Sequence, residues 1–195
     1  MIPAKEVIFA LYRIGAIKFG QCAIKRDFVA PFQVDLTPLL SETELAREIC
    51  KLLWEKARKF EFDLICGLPT IGALIAGFIS WEVSFPMVAQ RLDGKEGVQI
   101  LGKYKSGQRC LLFQDILGFG GDTLAFVDTL EAEGLTVIDS VGLIDLEMGG
   151  KKRLKTRGIA PHCLFGMKEV IEVLHENGKI PGDQHKLSTD FLESL

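Results

Sequence analysis

Asp115, Gly118, Gly120 and Gly121 lie within eight positions of one another in the stretch QDILGFGGDT at 114–123. An apolar run (CLLF) precedes the acid, and a helix start near Asp122 follows the glycines. The order is strand, glycine loop, helix N-terminus. Glycines let a backbone approach a ligand closely and take up positive φ, and a helix start presents unpaired N–H groups and the positive end of its dipole. Phosphate is the natural guest of such a place. A plain β-to-α turn would use glycines too. An acid at the strand end, followed by three glycines in four residues, points instead to a phosphate or sugar-phosphate site.

Three further loops fall where strands of a parallel sheet should end: GLPTIG at 67–72, the polar stretch at 90–108 and DLEMGG at 145–150. In open α/β sheets ligands bind at those strand ends. Together the loops supply backbone N–H groups, the carboxylates Asp115, Asp145 and Glu147, and the cations Arg91 and Lys95. A sugar phosphate with Mg²⁺ suits that mixture, because magnesium favours carboxylate, phosphate and water oxygens. Each residue also has a plainer role open to it: Arg91 and Lys95 as solvated loop charges, Asp145 as a cap and Lys25 as a surface residue of a hairpin. The basic run at 151–157 reads as a solvated helix face. His162, His175 and His185 lie apart from these loops and form no Ser/His or Cys/His pair.

The elements that must position these loops follow from periodicity. From residue 62 the chain alternates strand and helix, the pattern of a parallel sheet with helices on its faces. Strands are expected at 62–66, 86–89, 109–113, 135–144 and 162–165. Helices are expected at 73–81, 122–133 and 168–176, with another start in the basic run and a short one ending at 195. Residues 90–108 read as a long loop or loose hairpin. Ahead of this lie a helix at 3–12, a hood of short strands up to residue 40, and a capping box, Ser41 with Glu44, opening a helix that runs to about 59. The expected architecture is one α/β domain of 195 residues. Residues 1–40 form the helix and hood, 41–166 the core, and 167–195 the C-terminal helices.

Composition excludes some classes of function. A net charge of −3 argues against a nucleic-acid surface or a polybasic membrane surface. Five widely spaced cysteines without a C-x-x-C pair imply a reducing compartment, with neither disulfides nor a zinc site. No apolar run approaches the length of a membrane span, so the protein is expected in the cytoplasm.

Taken in order, the loops resemble those of type I phosphoribosyltransferases, and most closely the orotate phosphoribosyltransferases, including the N-terminal half of UMP synthases. AIKFGQCAIK is similar to the family's KFG-x-F-x-LKSG segment, VDL to its IDLR, and CGLPTIGALIA to its GVPY-x-x-x-PLA loop. LIDLEMGGKKRLKTRGI is similar to LLDREQGG-x-x-x-L-x-x-x-GI, and KEVIEVLHENGKI to the C-terminal helix. The resemblance implies a type I phosphoribosyltransferase fold: a central, mostly parallel sheet flanked by helices, with an N-terminal hood. It also implies transfer of phosphoribosyl from phosphoribosyl pyrophosphate (PRPP) to orotate, through an oxocarbenium-like transition state. Mg²⁺ would arrive with PRPP rather than on a metal motif of the chain, and the protein would be a homodimer.

By the same resemblance Gly118, Phe119, Gly120, Gly121 and Asp122 would wrap the 5-phosphate. Asp115, beside Gln114, would lie by the ribose hydroxyls. Thr70 and Ile71 would face pyrophosphate, with Arg91 and Lys95 on a mobile loop reaching the neighbouring subunit and Lys25 completing the PRPP site. Asp115 and Lys95 would be catalytic, and Phe32, Gln33 and Leu146 would lie by the base. The chain departs from the family at several of these positions. Gln114 replaces the first of two adjacent acids, GFGGD replaces a loop rich in Thr and Ser, and Leu92 replaces a second cation. Ile71 stands where many bacterial members carry lysine, and Leu146 where the family has an orotate-contacting arginine. Three readings are therefore open: an orotate phosphoribosyltransferase with a divergent site, a phosphoribosyltransferase for another base, and a silent paralogue serving as a nucleotide sensor or partner subunit.

Overall fold

Segments 64–67 and 110–113 are apolar on both faces, a pattern that only a sheet covered on both sides can bury. The computed structural model describes residues 2–25, 28–92 and 99–195. The chain runs α1 (Ala4–Arg13), β1 (Ile17–Lys25), β2 (Phe28–Val34), a 3-10 turn (Thr37–Ser41), α2 (Thr43–Ala57), β3 (Leu64–Gly67) and α3 (Ile71–Val83). It continues through β4 (Ala89–Gln90), β5 (Ile100–Leu101), β6 (Cys110–Leu117), α4 (Gly121–Ala132), β7 (Asp139–Asp145) and α5 (Gly150–Thr156) to β8 (Ala160–Gly166), α6 (Met167–Glu176) and α7 (Gly182–Glu193).

The central sheet is parallel, in the order β3-β6-β7-β8. Its pleat splits the core in two. Ile65, Leu111, Phe113, Val141 and Leu143 join one buried cluster with Ile49 and Leu53 of α2 and Ile75 and Ile79 of α3. Leu64, Cys66, Cys110 and Leu112 join the other, with Phe126, Val127 and Leu130 of α4 and Leu154 of α5. The β1–β2 hairpin forms no ladder with this sheet. It is held as a hood by Phe32, whose ring meets Phe191 of α7 edge-on at 5.8 Å, and by Gln184 Nε2, which donates to the Pro31 carbonyl at 3.0 Å. No helix of the described residues is long and apolar enough to cross a membrane.

Local readings need four corrections. The Ser41–Glu44 capping box does not form: Ser41 ends the 3-10 turn, and α2 starts after Glu42 without a side-chain cap. Asp35 decides this by accepting from the Thr37 N–H at 2.9 Å and from its hydroxyl, which winds the chain into the turn first. The second expected strand contributes only a parallel bridge, Met87 to Ile65, and the ladder falls at β4, which pairs antiparallel with β5. The 90–108 stretch is thus a hairpin at its base. Strand β6 runs on through Ile116 and Leu117, which pair with Ile144 and Asp145 of β7, so the glycine loop starts only at Gly118. Strand β7 begins only at Asp139; the stretch before it is pinned to the sheet by a parallel bridge from Thr136 to Arg109.

Candidate active site

The loops after β6 and β7 lie backbone on backbone. The Leu146 N–H donates to the Leu117 carbonyl at 2.8 Å, and the Gly150 N–H to the Gly118 carbonyl at 3.0 Å. A Cβ on Gly150 would fall 2.3 Å from the Gly118 oxygen, so no other residue fits there. Gly120 has φ of +76°, the left-handed conformation glycine adopts freely, and it opens α4. The loop after β3 joins them: the Leu68 N–H donates to the Phe113 carbonyl at 2.8 Å, and the Pro69–Thr70 peptide is cis. The result is a cleft of about 240 Å³, lined by the three glycines with Leu68, Ile116, Phe119, Asp122, Thr123 and Arg153. The start of α4 opens into it.

The two residues of the acid motif point to opposite faces of β6. Gln114 is fully buried. Its amide donates to Ser140 Oγ at 3.2 Å and accepts from Thr123 Oγ1 at 2.9 Å, tying β6 to β7 and to the first turn of α4. Gln114 therefore does not reach PRPP through its side chain; it belongs to the interface between sheet and helix, where a satisfied amide costs far less than a carboxylate. Asp115 lies half-buried on the face that the hood covers. Burial pushes its carboxyl above the ordinary value, the charge of Asp35 adds to that, and hydrogen bonds from the backbone N–H groups of Ile116 and of Asp115 itself oppose it.

The other acids of the sequence reading serve the backbone. Asp145 accepts from the Glu147 N–H at 2.8 Å, which supports the left-handed conformation of Glu147 at φ 59°. Burial raises the Asp145 carboxyl while the Glu147 N–H and Lys151 oppose the rise. Glu147 in turn accepts from the Lys168 N–H at 2.7 Å and caps α6. Phe32 is completely buried in the core and does not line a base site, whereas Gln33 is exposed beside it on β2. Leu146 is 8% exposed, with its Cδ1 3.8 Å from where a Cβ on Gly118 would stand. Thr70 is exposed and Ile71 is the first residue of α3.

Lys95 lies outside the described residues, as does the side chain of Lys25. Arg91 sits at the hairpin base, where its N–H donates to the Gln99 carbonyl at 2.7 Å. That base is fastened to the end of α4 by Glu133, which accepts from the Gln99 N–H at 3.0 Å and from the Tyr104 hydroxyl at 2.9 Å. Sequence reasoning missed this anchor, for which no motif exists. The basic run is exposed apart from Leu154, as a solvated helix face should be, but two of its side chains also reach neighbouring elements: Arg153 donates to the Phe119 carbonyl at 3.3 Å, and Arg157 pairs with Asp128 and Glu131 of α4 at 2.9 and 2.8 Å.

No family model matches the chain. An orotate phosphoribosyltransferase of Cenarchaeum symbiosum is 31% identical over 180 residues, which cover 89% of this chain and 90% of that protein. The chain belongs to the orotate phosphoribosyltransferase family. The uridine 5'-monophosphate synthase of Bos taurus is 30% identical over 193 residues, but there the match spans 96% of this chain and only 40% of the relative. The UMP synthase structure of Leishmania donovani superposes with a TM-score of 0.91 at 26% identity, covering all of this chain and 43% of that one. The hood, the parallel sheet and the loops at the carboxyl ends of its strands are thus the α/β phosphoribosyltransferase fold. Of the adjacent pair Gln114 and Asp115, only Asp115 carries a carboxylate.

Two substitutions separate the roles of the motif. Gln114→Leu strands two buried hydroxyls and should cost about 1–3 kcal/mol in urea unfolding; a shift in PRPP affinity without loss of stability would place the side chain in the site instead. Asp115 has a raised folded-state pKa, so its ionised form opposes folding, and this cost appears as pH rises from the ordinary value of 3.8 through the folded value. Asp115→Asn should therefore melt higher than the parent at pH 7, with the difference closing near pH 3. A melting difference that stays constant over that range would refute the assignment.

Proposed function

We propose that this chain transfers the phosphoribosyl group of PRPP to a ring nitrogen of orotate, giving orotidine 5'-phosphate and pyrophosphate in pyrimidine nucleotide synthesis. The observation that carries the reading is the convergence of three loops on one cleft at the strand ends, with a glycine-opened helix start next to a half-buried acid. In this assignment the N–H groups around 118–122 receive the 5-phosphate, as helix starts do. Asp115 faces the ribose hydroxyls and lowers the energy of positive charge developing on the sugar as the bond from C1 to the pyrophosphate oxygen breaks. The electron pair of that bond leaves with pyrophosphate, and the nitrogen lone pair of the base forms the new bond to C1. Thr70 and Ile71 are assigned to the pyrophosphate side, as are Arg91, at the hairpin base, and Lys95. Gln33 and Leu146 are assigned to the base.

Mg²⁺ would neutralise the departing pyrophosphate. In this assignment the ion is held by the oxygens of PRPP, with the Asp115 carboxylate available to it, because magnesium favours phosphate and carboxylate oxygens. A homodimer is supported by exposed apolar side chains, Leu74 and Trp81 seven residues apart on α3 and Leu40 in the same groove as Leu74, since exposed apolar surface marks contact sites. A reducing cytoplasm is supported by five free cysteines, three of them buried. The chain spans less than half of the UMP synthases it matches, so the activity of any larger protein containing it is part of the proposal.

Leu146 favours a second reading, in which the base carries no carboxylate, because charge-assisted bonds are the strong means of holding one. One assay decides: pyrophosphate release from PRPP and Mg²⁺ with orotate, then with a panel of neutral bases. Turnover with orotate, reduced at least about a hundredfold by Asp115→Asn, is the expected result. Turnover only with a neutral base would replace orotate as substrate, and PRPP binding without turnover on any base would leave a sensor. For the dimer, Trp81→Asp should convert the sedimentation of the protein to that of a monomer; a parent that is already monomeric would dismiss the contact.

A further inference from the structure

The glycine loop has a deficit that its backbone alone does not make up. Positions 118, 119 and 121 are Gly, Phe and Gly, so no hydroxyl comes from them, and Asp122 adds a carboxylate to the lining. The Thr123 hydroxyl is spent inward on Gln114. Among the described residues, a dianionic phosphate in this cleft would meet N–H groups, an acid, and one cationic side chain of the lining, Arg153.

Arg153 is built into the loop. One guanidinium nitrogen, Nη1, donates to the Phe119 carbonyl at 3.3 Å, and the same nitrogen stands 3.7 Å from where a Cβ on Gly121 would be. Its helix, α5, begins at Gly150, whose N–H is bonded to the Gly118 carbonyl, so loop and guanidinium share one anchorage. Among the described residues Arg153 forms no ion pair, whereas Arg157, one turn on, is taken by Asp128 and Glu131. Guanidinium is a planar fork of five donors that matches phosphate oxygens in pairs. With one donor on the Phe119 carbonyl, the remainder can address the cleft.

We propose that Arg153 is the phosphate-binding cation of this site, supplying from the β7–α5 side the charge-assisted donors that the β6–α4 loop lacks. This rests on the phosphoribosyltransferase reading and adds a residue to it. Arg153 also offsets Asp122, whose charge would otherwise oppose the ligand. Gly121 contributes by leaving space beside the guanidinium.

The test is calorimetric titration of the intact protein with ribose 5-phosphate, with ribose, and with PRPP plus Mg²⁺. Arg153→Gln keeps a donor for the Phe119 carbonyl and removes the charge, Arg153→Lys keeps the charge and loses the fork, and Lys152→Met is a neighbouring control. Arg153→Gln should weaken ribose 5-phosphate and PRPP about ten- to hundredfold, flatten the salt dependence of binding and leave the melting temperature unchanged. Arg153→Lys should recover part of the affinity, and Lys152→Met should match the parent. Parent-like affinity for both phosphorylated ligands in Arg153→Gln overturns the inference and leaves the transferase reading standing. If the parent itself binds neither ligand, that reading falls, and the inference with it.

Discussion

The contact of the β6–α4 loop with the β7–α5 loop holds this site together. Two backbone hydrogen bonds, Leu146 to Leu117 and Gly150 to Gly118, bring the loops so close that position 150 has no room for a Cβ. Backbone amides this tightly coupled cannot be re-aimed one at a time. The helix start at Gly121, the turn at Glu147 and the placement of Arg153 all follow from that contact. The glycines in these loops are therefore explained twice: by the approach of a ligand, and by the approach of one loop to the other.

A second constraint runs beneath the first. The Ser140–Gln114–Thr123 chain of hydrogen bonds lies in the second apolar layer and ties two strands to the first turn of α4. Buried polar groups are tolerable when each has a partner, and an amide, which donates and accepts, satisfies both hydroxyls. Asp115, one residue on, points the other way and bears the opposite character. Its carboxyl is raised by burial and by Asp35, a cost in stability that a positive charge brought beside it would relieve. Strand alternation thus puts a hydrogen-bond-satisfied amide and a carboxylate of raised pKa side by side in sequence.

Electrostatics at the mouth are divided between loops in a comparable way. Asp145 and Glu147 hold their own backbone turn and the start of α6, so the acids after β7 are consumed by structure. Two cations of the basic run, Arg153 and Arg157, meet α4 or the loop before it. The hairpin bearing Arg91 is fastened at its base through Glu133 to the end of α4, the helix whose other end opens the cleft. The hairpin base and the cleft are thus attached to the two ends of one helix.

The sequence by itself determined the fold class, the order of the elements and the neighbourhood of the site, because these depend on local quantities. Alternating apolar runs and helical periodicity specify a doubly covered parallel sheet, and an acid followed by three glycines marks the strand end where ligands bind. Side-chain direction was not legible. Gln114 and Asp115 are adjacent letters, yet the pleat and the partners Ser140 and Thr123, 26 and 9 residues away, send them to opposite faces. Phe32 looked like a base contact and is core, because α7, over 150 residues later, brings Phe191 against it. Arg153 is exposed, as its place in the basic run implies, but nothing within one helix tells which neighbouring loop its guanidinium will meet. Tertiary structure decided these, since burial and the hydrogen-bond partner of a polar side chain are set by segments distant in sequence.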